Sequence, residues 1–389
     1  MQATEFGTMT IEQLRTVVGK KWTTYDDCIG AFVAEADFGT APVIKDALRE
    51  VVDAGFFGYL PDSHKDSMLT ATADWYRNEY GWDVPVDRIF PLPDVIKGLE
   101  AAMIEFSKPG SKIIVPTPAY MPFVMLPKIM GREHIEVPSV TRNGREELDY
   151  DAIDAAFADG GGLLIICNPQ NPTGRVYDRE ELVKISEIVA RHDGCVFSDE
   201  IHGPLTYPGS KFVPYASVSD AAASHTITAA SASKAWNLAG LKAAQLILSN
   251  PDHAKRWGET HLHFMYGHGA STVGVIANAV AYRSGKPWLT DVIDYLDGNR
   301  KMLAEMLGQL MPEAKFSIPQ GTYLAWIDLN GYDLPSDVDL FYRTRAKVAL
   351  VNGQACGKAG EGFARFNFAM SRSMLEQAVT QMAAATKEV

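Results

Sequence analysis

Residues 231–240 read SASKAWNLAG, and this stretch places Lys234 among small side chains, between an apolar run and a glycine-containing turn. A lysine that loses its proton in a buried site is a nucleophile that forms an imine with an aldehyde, and small neighbours leave room for a bulky ligand. A lysine beside two serines is also typical of a solvated surface. The stretch alone therefore leaves both a reactive lysine and a surface lysine open.

Two upstream segments favour the reactive lysine. Residues 167–175 (CNPQNPTGR) follow an apolar run, which predicts a turn at the end of a strand where Asn171 can face a ligand. Residues 198–202 (SDEIH) follow a second short apolar run, and carboxylates in such places rarely serve packing. Both segments are therefore expected at strand ends, which is where open parallel sheets bind ligands.

The middle of the chain alternates strand-like runs with amphipathic stretches, which predicts an α/β fold with a mostly parallel sheet covered by helices. One helix is well marked, because Asp178 and Glu181 form a capping-box pattern and Gly194 is placed to end the helix. The predicted strands are 112–115, 163–167, 195–198 and 226–230.

Asn171, Asp199 and Lys234, in this order and separated by 28 and 35 residues, resemble the motif of fold-type I pyridoxal phosphate (PLP) enzymes in the class I/II aminotransferase superfamily. The chain more narrowly resembles the MalY/PatB-type carbon–sulfur β-lyases, often called cystathionine β-lyases. This resemblance covers nearly the whole chain, and its segments are 32–38 (FVAEADF), 116–120 (PTPAY), 198–202 (SDEIH) and 285–289 (GKPWL).

The resemblance implies the fold-type I architecture, in which a large domain with a mostly parallel mixed sheet between helices lies beside a smaller α/β domain. The large PLP-binding domain is expected at 46–286, and the small domain at 1–45 together with 287–389. The resemblance also implies a homodimer whose subunits share their active sites.

The resemblance assigns roles around the cofactor ring. Lys234 would hold PLP covalently and then act as general base on the substrate's Cα proton, with Tyr120 stacked on the ring as its catalytic partner. Asp199 would keep the pyridine nitrogen protonated, Asn171 would donate to the phenolic oxygen, and His202 replaces a tyrosine that contacts this oxygen in many relatives. Each of these residues also has a purely structural alternative: Asp199 as a helix cap, Asn171 as part of a turn, Tyr120 as a core tyrosine and His202 as a polar residue that fills space.

A second set of residues would bind the PLP phosphate. Many aminotransferases have an arginine eight residues after the anchoring lysine, but this chain has a lysine there, which is a point charge rather than a planar fork. A tyrosine in residues 58–61 (GYLP) matches the one that such enzymes lend to the phosphate site of the neighbouring subunit. The expected phosphate ligands are the backbone amides of Asp94, Val95 and Ile96, the hydroxyls of Ser231 and Ser233, Lys242, and Tyr59 of the neighbouring subunit.

The substrate is an amino acid in this interpretation. Arg365 matches the arginine that binds the α-carboxylate, with a surface ion pair as its structural alternative. Ala34 and Asn171 are the other expected substrate contacts. Residues 32–38 read FVAEADF where similar lyases have WVADMDF, so the preferred substrate side chain is expected to differ.

Composition excludes several other classes of protein. The chain has 389 residues, 47% of them hydrophobic, and a net charge of −12, which argues against nucleic acid and anionic membranes as partners. The first residues lack a secretion signal and no apolar run approaches the ~18 residues of a membrane span. Four scattered cysteines predict reduced thiols in a cytoplasmic protein. His261, His263 and His268 lack a metal-binding spacing, so no metal is expected.

The β-lyase resemblance implies α,β-elimination of L-cystathionine or related cysteine S-conjugates, giving a thiol such as homocysteine, pyruvate and ammonia in amino-acid metabolism and methionine biosynthesis. The cofactor alone also permits transamination, because each route begins by weakening a bond at Cα. A PLP-dependent aminotransferase is therefore the main alternative. An added regulatory binding role is a minor one, since a member of the resembling group restrains a transcription activator.

Overall fold

The computed structural model describes residues 6–17, 19–55, 57–142 and 145–389. The α-helices in these ranges are α1 (Ile11–Thr16), α2 (Lys20–Thr23), α3 (Pro42–Ala54), α4 (Asp62–Trp75), α5 (Val95–Ala101), α6 (Met121–Ile129), α7 (Tyr150–Ala158), α8 (Arg179–Arg191), α9 (Asp220–His225), α10 (Pro251–Gly258), α11 (His261–Gly269), α12 (Thr272–Ser284), α13 (Lys286–Leu310), α14 (Val338–Arg345) and α15 (Arg372–Thr386).

The strands in the same ranges are short, and most of them fall into two main sheets. They are β1 (Ile29–Gly30), β2 (Ile89–Leu92), β3 (Lys112–Thr117), β4 (His134–Pro138), β5 (Val140–Arg142), β6 (Arg145–Glu147), β7 (Gly161–Cys167), β8 (Cys195–Asp199), β9 (Thr226–Ala230), β10 (Ala244–Ile247), β11 (Lys315–Phe316), β12 (Leu324–Asp328), β13 (Val348–Ala349), β14 (Val351–Asn352) and β15 (Phe363–Asn367). Outside the two main sheets, β1-β13 and β5-β6 are separate pairs.

The larger sheet has seven strands in the order β2-β10-β9-β8-β7-β3-β4. The five strands from β9 to β4 run parallel, and β10 is antiparallel to both of its neighbours. Alternate residues of β7 face opposite sides, so Leu163 and Ile165 pack in one core cluster and Leu164 and Ile166 in another. Because both faces are covered by helices, this is the predicted α/β arrangement with a mostly parallel sheet.

Helix α8 begins as the sequence predicts and ends earlier. The Asp178 carboxylate accepts from the Glu181 amide, and the Glu181 carboxylate accepts from the Asp178 amide, each at 2.9 Å, which confirms the capping box. The helix ends at Arg191, three residues before Gly194. The Gly194 amide donates to the Val189 carbonyl at 3.1 Å, so the residue does help to end the helix, while the left-handed position is occupied by Asp193 with φ of 49°. A Cβ at Gly194 would lie 2.5 Å from the Phe157 ring, so a glycine is needed here for close packing against α7.

The smaller sheet is antiparallel, in the order β11-β12-β15-β14, and lies within the last quarter of the chain. The amino-terminal strand β1 pairs in parallel with β13, which joins the start of the chain to this last quarter. Helix α13 begins at Lys286, next to the expected boundary at 286/287. The domain boundaries themselves stay predictions. Residues 1–5 lie outside the described residues. The expected small domain begins with them, and so does the segment in which no secretion signal is predicted.

All four cysteines are free thiols, and three of them are buried. Among the described residues, no helix is both long enough and apolar enough to cross a membrane.

Candidate active site

The predicted polar residues meet at the carboxyl ends of β7, β8 and β9, where the following loops enclose a cavity of about 230 Å³. Twelve of the fourteen predicted site residues line this cavity, although the sequence spreads them over more than 200 positions. They are Ala34, Asp94, Val95, Ile96, Tyr120, Asn171, Asp199, His202, Ser231, Ser233, Lys234 and Lys242.

A larger cleft of about 660 Å³ lies between residues 173–175 and the stacked rings of Trp326 and Phe363. None of the predicted residues lines this cleft. The smaller cavity contains a lysine, a carboxylate and a histidine whose pKa values are strongly shifted, and such groups gather at catalytic sites. We therefore assign the chemistry to the smaller cavity.

Lys234 lies in the loop that follows β9, and its Nζ donates a hydrogen bond of 3.0 Å to the carbonyl oxygen of Ala34. Burial, assisted by the positive charge of Arg365, lowers the pKa of Lys234 from its usual 10.5 to about 8. About a tenth of the lysine is then neutral at pH 7, compared with less than about a thousandth for an ordinary lysine. The site thus supplies the free amine that a nucleophile or general base requires.

Asp199 is the last residue of β8 and is 4% exposed. Its Oδ1 accepts a hydrogen bond of 3.0 Å from the amide of Ile201. Burial raises the pKa of Asp199 from its usual 3.8 to about 7. A carboxylate in this position gains from a cationic partner in the cavity, since a nearby positive charge favours its ionised form.

His202 and Tyr120 form the aromatic wall of the cavity. His202 is 2% exposed, and its Nδ1 is buried without a hydrogen-bond partner in the described part of the chain. Burial lowers the pKa of His202 to about 3, so the imidazole is neutral at pH 7. Tyr120 lies directly before α6 and packs edge-on against Phe123, with ring centroids 5.5 Å apart. The neutral imidazole can thus donate to or accept from a bound ligand.

The opposite end of the cavity gathers groups of the kind that suit an anion. Helix α5 begins there, capped by Asp94, whose carboxylate accepts from the Lys97 amide. Ser231 Oγ donates to the carbonyl of Ala243 and accepts from the amide of Ser233. Lys242 Nζ lies 3.1 Å from the Asp94 carboxylate, a pairing that the sequence did not reveal. A bound phosphate would compete with Asp94 for this ammonium group.

Arg365 lies outside the cavity lining but contacts it through Asn171. Arg365 is 2% exposed, and its guanidinium donates to Asn171 Oδ1 at 3.1 Å and to the carbonyl of Phe32 at 2.7 Å. Because Asn171 Oδ1 accepts from Arg365, the Nδ2 of Asn171 is the group left to donate to a ligand. The small sheet thereby brings a buried cation to the edge of the site.

Tyr59 is 96% exposed and does not line the cavity within its own chain. The backbone next to it is fixed by Thr272, whose hydroxyl donates to the carbonyl of Gly58 at 3.2 Å. Its expected role depends on a second subunit.

Sequence reasoning missed three polar side chains near the site. The Tyr323 hydroxyl donates to the Ala34 carbonyl at 3.0 Å, and its ring meets that of His202 edge-on. Asn237 and Asn367 donate to the backbone of residues 33–36. Asn237 lies within the lysine segment, three residues after Lys234, and its positive φ of 57° marks a constrained turn, but nothing in the sequence indicates its partners. Tyr323 lies in an apolar run, where it looks like any core aromatic residue.

The family model for class I and II aminotransferases matches residues 28–382. The chain belongs to this family. It is 39% identical to a cystathionine β-lyase of Corynebacterium glutamicum, over 96% of this chain and 98% of that one. It is 35% identical to the cystathionine β-lyase PatB of Bacillus subtilis, over 92% of each. A crystal structure from Corynebacterium diphtheriae, of a protein classed as a PLP-dependent β-cystathionase, superposes with a TM-score of 0.93 at 39% identity, covering 98% of this chain and 99% of that one.

The fold is therefore that of the fold-type I PLP enzymes, as the sequence predicts. The cavity fits this cofactor in two ways. The buried Asp199 carboxylate matches the protonated pyridine nitrogen, because that positive charge would favour the ionised form of Asp199. The unpartnered Nδ1 of His202 and the anion-binding end at α5 match the polar substituents of the ring and its phosphate.

Proposed function

We propose that this protein is a PLP-dependent carbon–sulfur β-lyase that converts L-cystathionine or related cysteine S-conjugates to a thiol, pyruvate and ammonia. The observation that carries the proposal is the meeting of Lys234, Asp199 and Asn171 in one cavity, in a chain related at 35–39% identity to cystathionine β-lyases. With L-cystathionine and water as reactants, the products are homocysteine, pyruvate and ammonia.

When bound, PLP withdraws electrons from the substrate's Cα and so weakens the bonds to it. Lys234 would hold the cofactor and, once released by the substrate's amino group, would accept the Cα proton at Nζ, for which its lowered pKa suits it. Asp199 would keep the pyridine nitrogen charged, and Tyr120 would pack against the ring. Arg365 would bind the α-carboxylate with its planar guanidinium and so orient the Cα–H bond.

A homodimer with shared sites is part of this proposal. Tyr59 supports it, because a tyrosine in the motif of a phosphate ligand is 96% exposed in its own chain. Phe57 beside it is 66% exposed, and exposed aromatic residues of this size are typical of protein interfaces. Light scattering of the purified protein tests the dimer. We further propose a large domain at 46–286, a small domain at 1–45 and 287–389, and a cytoplasmic location, which the four free thiols support.

The test of the activity is to incubate the PLP-loaded protein with L-cystathionine in the absence of any oxo acid and to follow pyruvate and free thiol together. Equal amounts of both are expected. Lys234→Ala should abolish them and the visible absorbance of the bound cofactor, whereas Lys255→Ala, at an exposed position on α10, should change neither. Amino-group transfer only after addition of an oxo acid, without pyruvate in its absence, would instead identify an aminotransferase.

A further inference from the structure

Residues 32–37, here named the strap, run along the cavity without regular secondary structure, and Ala34 lines the cavity wall. Five consecutive carbonyl oxygens of the strap each accept a hydrogen bond from a side chain elsewhere in the chain. The distances are 2.6–3.3 Å, and the pairs are Phe32 with Arg365, Val33 with Asn367, Ala34 with Lys234 and Tyr323, Glu35 with Asn367 and Lys21, and Ala36 with Asn237.

Two of these donors have other partners in the proposed function, on which this inference rests. Lys234 would hold the cofactor, and Arg365 would bind the substrate's carboxylate. Both would then be drawn away from the strap when the site is filled. The side-chain donors left to hold the strap of the working enzyme are then Lys21, Asn237, Asn367 and Tyr323, beside the Asp37 amide, which donates to the Ala369 carbonyl at 3.0 Å.

Lys21 differs from the other three because it carries a charge. Its side chain is 1% exposed, and Nζ donates to Asp37 Oδ2 at 2.9 Å, to the carbonyl of Glu35 at 3.3 Å and to the carbonyl of Ala369 at 3.2 Å. One ammonium group thus binds the strap at two points and connects it to the loop after β15. The other carboxylate oxygen of Asp37 accepts from the Trp22 indole at 2.8 Å.

A buried ion pair is an inefficient way to stabilise a fold. Removing two charges from water costs several kcal/mol per ion in general, and well-packed apolar residues of similar volume often stabilise equally well or better. What the ammonium provides instead is position, because its three donated hydrogen bonds fix the Glu35 carbonyl and the Asp37 carboxylate relative to Ala369. Because the Lys21–Asp37 pair lies at one end of the strap, its main effect is to fix where the strap lies.

We propose that the buried Lys21–Asp37 ion pair is a positioning device that holds the strap in its substrate-binding position and so sets the affinity for the amino acid. Neither residue lines the cavity, so both act through the strap backbone. The pair is expected to affect substrate affinity far more than the rate of the chemical step.

The test compares two double variants of the PLP-loaded enzyme. Lys21→Met with Asp37→Asn removes both charges together and keeps an acceptor for Trp22, so no unpaired charge is left buried. The matched control is Lys347→Met with Asp27→Asn, an ion pair of 2.8 Å whose side chains are 53% and 61% exposed.

Three readouts are taken. Hydrogen exchange of the peptide covering 30–40 reports how well ordered the strap is. Absorbance titration with L-alanine, which lacks a leaving group at Cβ, reports the affinity for an amino acid. Steady-state kinetics with L-cystathionine separate KM from kcat. The core double variant should exchange about tenfold faster, bind L-alanine about tenfold more weakly and raise KM about tenfold with kcat within about threefold. Its PLP content should match the wild type, and the surface control should change nothing.

Unchanged L-alanine affinity in the core double variant would overturn the proposal, whatever the exchange rate. Loss of affinity together with loss of PLP would also overturn it, because the pair would then support the whole site. If the double variant does not fold, the Lys21→Arg variant is used instead. An arginine can pair with Asp37 but cannot place one ammonium group between three oxygens. Native PLP content with weaker L-alanine binding would then support the positioning role, and unchanged L-alanine binding would refute it. Wild-type enzyme that binds L-alanine but releases no pyruvate from L-cystathionine would refute the β-lyase activity and leave this test valid.

Discussion

Replacing Glu200 with glutamine is expected to remove a pH-dependent loss of stability of about 3 kcal/mol from the cofactor-free protein. Glu200 follows Asp199 and is 2% exposed. One of its carboxylate oxygens accepts from the Ser198 hydroxyl and the Tyr215 amide, and the other accepts from the Tyr76 hydroxyl, each at 3.0 Å. These donors are neutral, so the carboxylate keeps its charge only at a cost.

Burial raises the pKa of Glu200 from its usual 4.5 to about 7. The folded protein therefore retains this proton between pH 4.5 and 7, whereas the unfolded chain loses it. The stabilisation is fully present below pH 4.5 and is lost as the pH rises through 7. At about 1.4 kcal/mol for each pKa unit, the loss is about 3 kcal/mol by pH 8. Asp199, with its pKa raised to about 7, adds a loss of stability over the same pH range, but it does so equally in wild type and in Glu200→Gln.

The assay is urea unfolding of wild type and Glu200→Gln at intervals between pH 5 and 8. Glutamine resembles the protonated acid and keeps an oxygen for Ser198 and Tyr215. The stability of the variant relative to wild type should rise by about 2.5 kcal/mol between pH 5 and pH 8. In Ser198→Ala, which removes a donor to the carboxylate, the loss should extend to higher pH. Parallel pH profiles for wild type and Glu200→Gln would refute the buried, protonated carboxyl group.

Three further predictions concern the site and its support. Arg365→Lys should raise KM for L-cystathionine more than tenfold and lower kcat less in steady-state kinetics, because an ammonium group cannot reproduce the two-pronged grip on a carboxylate; a larger fall in kcat than rise in KM would contradict the role in binding. Tyr59→Phe should weaken PLP binding about tenfold in equilibrium dialysis without dissociating the dimer in light scattering, and unchanged PLP affinity would remove Tyr59 from the phosphate site. Trp236→Ala should destabilise the protein by about 3–5 kcal/mol in urea unfolding, since Trp236 is fully buried and packs edge-on against Trp75 and Tyr282; a change below about 1 kcal/mol would contradict this.

Local pattern was enough to predict the strands that carry the site. The strand expected at 226–230 is found there, and those expected at 163–167 and 195–198 extend by one or two residues. The capping box of α8 was also predictable, because both partners lie within one helical turn. The residue at which that helix ends was not, because the left-handed turn falls on Asp193, and Gly194 is required by its contact with Phe157, which lies 37 residues away in the sequence.

The sequence by itself determined the α/β class, the family, and a set of candidate residues, because these depend on the order and spacing of side chains. Only the tertiary structure decided how those residues act together. It placed Asp94 on Lys242, Asn171 on Arg365, and Lys21 beside Asp37 and Ala369. It also buried Asp199 and Lys234 enough to bring their pKa values to about 7 and about 8. Burial and long-range hydrogen bonds depend on which segments pack together, and no local spacing records that.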